Sequence, residues 1–384
     1  MRILHTADNH IGISFAQYPD LVRDRLLKER FESLERLVAI ANERFAHFIV
    51  VAGDLFDNQT VTKGQIEQTV GILAKFQGVH VLVLAGNHDY HEGTKNIEGT
   101  ENIEGTENRL WRWFRSACEG TRVLPLTDPT TKEFECDDFR VRFYACPCPS
   151  KHGKEHTIGW VADTDKESEV IHVGIAHGNV ERLGLDADQR YFNMSEEDMR
   201  GAGVHTWLLG HIHVPAPAPG MMGRPLYFMP GIHTPDSVKC SHHGHAWWVE
   251  LGADGACTHE QLTSGRVRFV RLRRSLENAA DIEALRVECG ALDAPNTVLD
   301  LQLTGRLKEE ELSKLNQLLD GMKPRFLHLT REQDIAQVLD AAGIAQRFPD
   351  GTLPNNLLLG LLADESNAGD AHLALDIIET LQTS

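Results

Sequence analysis

The stretch VLVLAGNHD, residues 81–89, carries an apolar run into a glycine and then sets Asn87, His88 and Asp89 side by side. Amide, imidazole and carboxylate groups bind metal ions and move protons, and this one tripeptide offers all three. The same design recurs along the chain. ILHTADNH delivers Asp8 and His10, FIVVAGDLFD delivers Asp54, IHVGIAHGN delivers His177, and TWLLGHIH delivers His211 and His213. Residues i and i+2 of an extended chain face the same way, so Asp8 pairs with His10, and His211 with His213, toward one site. Gly53, Gly86 and Gly210 each precede a polar residue and permit the sharp turn that aims it.

Mixed oxygen and imidazole donors without thiolate suit Mn²⁺, Fe²⁺ or Zn²⁺ better than Mg²⁺ or Ca²⁺. Asp8, His10, Asp54, Asn87, His177, His211 and His213 exceed the needs of one tetrahedral ion. They suit two ions roughly 3.5–4 Å apart that share one carboxylate, activate water at neutral pH and clamp a phosphoryl group for in-line attack.

The elements that must position these groups are short apolar runs read as strands, at 2–7, 47–52, 79–85, 140–145, 171–176, 206–209, 225–229 and 246–251. Many are continuous rather than alternating, as in sheets covered on both faces. Helical patterns lie between the early ones. Phe31, Leu34, Leu37, Val38 and Ala41 share one helical face, as do Ile66, Val70, Leu73 and Phe76. The expectation is a layered α/β sandwich with its ligands outside the carboxyl ends of the strands.

Near residue 263 the character changes. RVRFVRLRR is followed by a helical stretch at 279–289, an alternating strand TVLDLQLTG, a helix through Leu312, Leu315 and Leu319 that stops at Gly321, and the closing strand RFLHLT. Residues 334–383 read as helical, with NNLLLGLLADE and AHLALDIIETL strongly apolar. The expected organisation is a catalytic domain over 1–262, a small α/β cap domain over 263–333 and a C-terminal helical segment over 334–384.

The chain has 384 residues, of which 41% are hydrophobic and 24% charged, an ordinary globular mix. No apolar run reaches membrane-spanning length, and MRILHTADNH lacks the regions of a signal peptide, so a cytoplasmic protein with no membrane association is expected. Seven scattered cysteines give no disulfide framework, and Cys146 and Cys148 read as small buried residues at a strand end. The net charge of −18 opposes nonspecific affinity for nucleic acid. A polyanionic substrate then needs a local patch, metal ions or a partner. Arg266, Arg268, Arg271, Arg273 and Arg274 are the local exception to this acidity. The six-residue unit read three times in EGTKNIEGTENIEGTEN reads as a surface loop, and His242, His243 and His245 in KCSHHGHAWW read as a hairpin loop rather than a metal tract.

The ordered series D-x-H, GD, GNHD, H and GHIH resembles the calcineurin-like metallophosphoesterases. The finer text, RILHTADNHIG, VVAGDLFD, LVLAGNHD and LLGHIH, is similar to the SbcD-type DNA double-strand-break repair nucleases. The resemblance covers the motifs of residues 1–235. It implies an α/β/β/α sandwich in which Asp8, His10 and His213 hold one metal, Asn87, His177 and His211 hold the other, and Asp54 bridges. His88 would then act on the transition state or the leaving oxygen, with Asp89 orienting it. Two divalent ions, Mn²⁺ foremost, are the implied cofactors. DNA is the implied substrate, cut exonucleolytically with endonuclease capacity. An SMC-like ATPase of the SbcC type is the implied partner, since the chain carries no P-loop of its own, and a homodimer is a further expectation. Competing readings are a phosphodiesterase or phosphatase acting on nucleotides or phosphoproteins, and a non-catalytic scaffold. Asn9 stands where the bacterial nucleases usually carry Trp, and Ile232 and His233 stand where a serine after Pro-Gly is common.

Overall fold

The computed structural model describes residues 1–91, 108–136, 138–181, 183, 190–218, 220, 221, 223–240, 242–252, 254–363 and 368–383. The repeated EGTxN tract, apart from Asn108, lies outside these residues. The chain divides into two compact units, Met1–Phe269 and Val270–Ser384.

The first unit runs β1 (Arg2–Thr6), α1 (Asp20–Glu43), β2 (Phe48–Ala52), α2 (Lys63–Leu73), β3 (His80–Leu84), α3 (Arg109–Cys118), β4 (Val123–Leu126), β5 (Thr130–Cys136), β6 (Phe139–Cys146), β7 (Val170–His177), α4 (Glu196–Gly201), β8 (Thr206–Gly210), β9 (Tyr227–Phe228), β10 (His245–Leu251) and β11 (Cys257–Thr263). Among the described residues these strands form two sheets, in the orders β11-β10-β1-β2-β3-β4 and β5-β6-β7-β8-β9. The strands β1 to β4 pair in parallel, as do β6 to β9. Parallel pairing requires crossovers, and α1, α2 and α3 supply them for the first sheet.

Alternation along each strand splits the side chains into layers. Leu4, Ile49, Val51, Val81 and Val83 face α1–α3 and pack with Leu34, Leu37, Val70, Leu73, Trp111 and Phe114. Ile3, Phe48, Val50, Leu82 and Leu84 face the other way and meet Val141, Phe143, Val173, Ile175 and Leu208 of the second sheet. Tyr144, Ala176, Trp207 and Leu209 form the outer face of that sheet beneath Ile158, Val161 and Met199. The architecture is therefore the expected α/β/β/α sandwich. Its fourth layer is thin: a 3₁₀ turn at Gly159–Asp163 and the six-residue α4.

The second unit contains β12 (Arg268–Leu276, which starts at the boundary), α5 (Ala279–Gly290), β13 (Thr297–Leu307), α6 (Glu309–Met322), β14 (His328–Gln337), α7 (Ala341–Arg347), α8 (Leu353–Leu362) and α9 (Ala368–Thr383). Its sheet has the order β12-β13-β14. Leu299, Leu301 and Leu303 of β13 point inward at period two and meet Leu285, Leu315 and Leu319 of the helices. The sequence pattern places helical character from residue 334, yet β14 continues to Gln337, because its parallel ladder with β13 persists from Val298↔His328 to Leu307↔Gln337. The last three helices pack on one another around Leu339, Ile344, Phe348, Leu358, Ala371 and Leu375. Three of the five arginines of RVRFVRLRR are engaged within this unit: Arg271 with Asp300, Arg273 with Gln302 and Arg274 with Glu288. No helix among the described residues is long and apolar enough to cross a membrane.

Candidate metal centre

Every donor expected from the sequence lies at or just past the carboxyl end of a strand of the first unit. Asp8 and His10 follow β1, Asp54 follows β2, Asn87 follows β3, His177 ends β7, and His211 and His213 follow β8. The turns are tight. Asp8, His10, Asp54 and His211 have φ of 52°, 46°, 53° and 102°, a left-handed backbone that side chains with a Cβ adopt rarely and at a cost. Neighbouring loops hold them there. Asp8 N–H donates to the Gly53 carbonyl at 3.1 Å, His10 N–H to Asp54 at 3.0 Å, and Ile11 N–H to Leu55 at 2.9 Å. Glycine is required at two points of this seam. A Cβ on Gly53, whose φ is +89°, would lie 2.2 Å from Nδ1 of His177, and a Cβ on Gly86 would lie 2.2 Å from Oδ1 of Asp54.

The donors converge. Asp8, His10 and His213 present ligand atoms within 4.8 Å of one another, and so do Asp8, Asp54 and His177. Nε2 of His10 stands 3.3 Å from Nε2 of His213, which is 3.7 Å from Oδ1 of Asp8. The amide oxygen of Asn87 sits 2.9 Å from both Nε2 of His177 and Nδ1 of His211. Nε2 of His177 is also 3.2 Å from Oδ2 of Asp54.

The chemistry of this contact fits divalent cations. Nδ1 of His177 is 2.8 Å from the Ala52 carbonyl, which only accepts, so Nδ1 carries a hydrogen and Nε2 is the nitrogen turned to the site. Nε2 faces a carboxylate oxygen and an amide oxygen, both of them acceptors. Acceptors aimed at one point need a positive charge between them. The electrostatics agree. Burial works against charge on His177, yet the Asp54 carboxylate outweighs it and lifts the imidazole to about 9. For Asp54 burial also opposes ionisation, but His177 and His10 hold its carboxyl well below the usual range. Burial and the neighbouring His177 push His211 down to about 3, which leaves it a neutral donor.

His88 stands beside this cluster. Its backbone N–H donates to Oδ1 of Asp54 at 2.8 Å, and its half-buried ring meets that of His10 edge-on at 4.8 Å. Ring Nδ1 is 2.8 Å from the carbonyl of Asp57. The group that holds the His88 ring is thus Asp57, not the expected Asp89. The fully buried Asp89 carboxylate instead accepts from Gly86 N–H at 2.7 Å and Phe56 N–H at 3.0 Å, clamping two site loops together. Burial and the nearby Asp54 push its carboxyl up to about 7.

Sequence reasoning misses Asp57. Its side chain lies 3.4 Å from Nδ1 of His10 while its carbonyl holds His88, so it braces both. The available signal is its place three residues after Asp54 in GDLFD. His242, expected in a hairpin loop, lies instead on the connection from β9 of the second sheet to β10 of the first, and has a further role. Its Nδ1 accepts from Gly244 N–H at 3.0 Å, so its Nε2–H donates to the carbonyl of His213 at 2.6 Å, behind the expected ligand. Cys146 and Cys148 are buried as expected, with Cys148 Sγ on the carbonyl of His177 at 3.2 Å.

A sandwich of two mixed, mainly parallel sheets with acidic, amide and imidazole donors gathered at its strand ends defines a metal-dependent phosphoesterase. The family model described as calcineurin-like phosphoesterase matches residues 1–215, more than half of the chain, and the protein belongs to that family. Members hold two divalent metal ions, and the clustered donors described above are suited to that demand. The chain is 26% identical over 225 residues to the uncharacterized metallophosphoesterase YhaO of Bacillus subtilis, which is 56% of this chain and 48% of that protein. It is 33% identical over 97 residues to the DNA double-strand break repair protein Mre11 of Methanosarcina acetivorans, which is 25% of this chain and 15% of that one. The match thus spans less than half the length of either relative. Among solved structures, TT1561 of Thermus thermophilus aligns over 68% of this chain and 98% of its own with a TM-score of 0.40 and 11% identity.

Proposed function

We propose that the protein is a dimetal-dependent DNA nuclease of the SbcD type, cytoplasmic, working with an SMC-like ATPase of the SbcC type. The observation that carries this reading is the seven-donor centre with His88 at its side, and a 97-residue stretch of the chain is similar to a DNA double-strand break repair protein. In this reading Asp8, His10 and His213 hold one ion, Asn87, His177 and His211 the other, and Asp54 serves both, with Mn²⁺ the best match to the donors. When bound, the ions supply an activated water and Lewis-acid stabilisation of the phosphoryl oxygens. The chain supplies the rest. Asp57 fixes Nδ1–H of His88 toward its own carbonyl, so that Nε2 serves the substrate. As imidazolium, His88 hands a proton from Nε2 to the departing oxygen. Asp89 and Trp111 keep the Asn87–His88 turn in place, the indole N–H donating to the Asp89 carbonyl at 2.5 Å.

A second reading, a phosphodiesterase acting on nucleotides, draws on the charge. The net charge is −18, and Arg271 and Arg274 are bound to Asp300 and Glu288. Ion-paired arginines are poor phosphate anchors. Under the leading reading a partner offsets this. Leu353, Leu373, Ile377 and Leu381 of α8 and α9 expose apolar surface that a partner helix would cover. The test is hydrolysis with Mn²⁺ of linear duplex DNA, single-stranded DNA, cyclic nucleotides and a generic phosphodiester. Cleavage of DNA supports the nuclease reading, and turnover of nucleotides alone overturns it. Because β14 runs to Gln337, truncation after Val338 is the cut that spares the sheet. Unchanged duplex cleavage by that variant, with and without the ATPase, would rule out docking through the terminal helices.

A further inference from the structure

The inner face of α1 is not wholly apolar. Glu29, Arg30 and Ser33 are buried there beside Leu26, Leu34 and Leu37. Charged residues are almost never buried without strong partners, yet Arg30 is 1% exposed. Its Nη1–H donates to the carbonyl of Asn9 at 3.2 Å, while Nε and Nη2 have no hydrogen-bond partner among the described residues. Burial pushes the guanidinium down to about 10, and Asp236, Asp57 and Glu29 counter that, so it stays a cation at neutral pH. It packs over the ring of Phe15, 5.6 Å from the centroid.

The residue it grips matters. Asn9 sits between Asp8 and His10, both in left-handed backbone with φ of 52° and 46°. Such conformations persist only where the surroundings over-determine them. The side chain of Asn9 gives little help, reaching Thr6 Oγ1 at 3.4 Å. A charge-assisted bond to the Asn9 carbonyl, on the backbone between the two ligands, therefore helps to fix both of them. Arg30 is itself anchored. Its own carbonyl accepts from Nε2 of His233 at 3.2 Å, Ser33 Oγ donates to the Ser264 carbonyl at 2.9 Å, and Glu29 accepts from Arg266 N–H at 2.9 Å.

We propose that Arg30 is a positioning residue for the cation site of Asp8, His10 and His213, acting through the Asn9 carbonyl. This rests on the two-ion reading of the centre. Two effects oppose each other here. A buried guanidinium near a cation site repels the cation, whereas its grip on Asn9 orders the donors. The carboxylates around it offset the repulsion, so the ordering prevails.

The experiment is titration of the metal-free full chain with Mn²⁺ alone, followed by calorimetry and by electron paramagnetic resonance, for the wild type, Arg30→Met and Arg30→Lys. The wild type binds two ions and gives the spectrum of an exchange-coupled pair. Arg30→Met should weaken one of the two sites about tenfold or more, as loss of a group supporting a metal ligand does, and spare the other. At two equivalents of Mn²⁺ its spectrum should be that of isolated ions. Arg30→Lys keeps the charge but loses the fork, and should show a smaller loss at the same site. Should the methionine variant not fold, the lysine variant is read in the same way, and equal affinity at both sites overturns the proposal. Tighter binding in Arg30→Met overturns it, because repulsion then dominates. Equal weakening of both sites also overturns it, because Arg30 then only supports the fold. A wild type that binds fewer than two ions overturns the two-ion reading itself, and this inference with it.

Discussion

Replacement of His88 by alanine separates proton transfer from ion binding. The backbone N–H of His88 donates to Asp54 at 2.8 Å, and alanine retains it. The substitution removes only the ring and its bond to the Asp57 carbonyl. One lost neutral hydrogen bond on a half-buried side chain costs about 1 kcal/mol of stability, so the fold and both ion sites should survive. Loss of a positioned general acid costs roughly 10²–10⁴ in kcat, which is about 3–5 kcal/mol of barrier. The size should follow the leaving group. A nitrophenolate departs without a proton, whereas an alkoxide of DNA needs one. The assay therefore compares kcat on a nitrophenyl phosphodiester and on DNA, beside metal content per chain. The expected result is two ions in the variant, a large loss on DNA and a smaller one on the activated ester. Two ions with unchanged turnover on DNA would refute the role. Loss of the ions would show that the ring, not the amide, supports the centre.

Asp54→Ala removes the carboxylate that accepts from His88 and lies 3.2 Å from Nε2 of His177 and 4.0 Å from Nε2 of His10, so metal content should fall below one ion per chain, and elemental analysis that still finds two would contradict the shared-ligand role. In Gly53→Ala the new methyl would sit 2.2 Å from Nδ1 of His177 on a left-handed backbone, and the chain should lose about 2 kcal/mol of stability and at least tenfold in Mn²⁺ affinity, measurable by thermal melting and calorimetry. His5 provides a test of pH dependence: burial between the sheets lowers its imidazole to about 3, while the unfolded chain titrates near 6.5. The unfolded state thus binds more protons between these values, and the stability contribution present above pH 6.5 is lost as pH falls, by about 2 kcal/mol at pH 5. Metal-free His5→Leu should melt with a smaller drop from pH 7 to pH 5 than metal-free wild type, and an equal drop would assign the acid sensitivity elsewhere.

The donors were legible because each is a local event, a polar residue set directly after a buried strand, and five such events in order leave little freedom. What escaped depends on contacts between distant loops. Asp57 acts through its backbone carbonyl, which no side-chain pattern reveals. His242 matters only because the loop that carries it folds behind His213, 29 residues earlier. Arg30 follows Glu29 in a helix whose apolar spacing is clear, yet both turn inward with Ser33. Edge strands were hidden for another reason. β4 carries a proline, and β5 reads TTKEFEC with every second residue exposed, so neither has the continuous apolar run of a central strand. The end of β14 is likewise polar, and its ladder with β13 holds it in place of local preference.

The centre draws its donors from both sheets. Asp8, His10, Asp54 and Asn87 belong to strand ends of the first, and His177, His211 and His213 to the second. The protein's own bonds cross the same gap, from Nδ1 of His177 to Ala52 and from the N–H of His211 to Asp8. In the proposed assignment neither sheet alone owns a complete set for either ion. A newly made or partly unravelled chain, with its two sheets not yet closed on each other, therefore lacks the assembled centre. For a metal-dependent phosphoesterase, this is a safety catch made of nothing but topology.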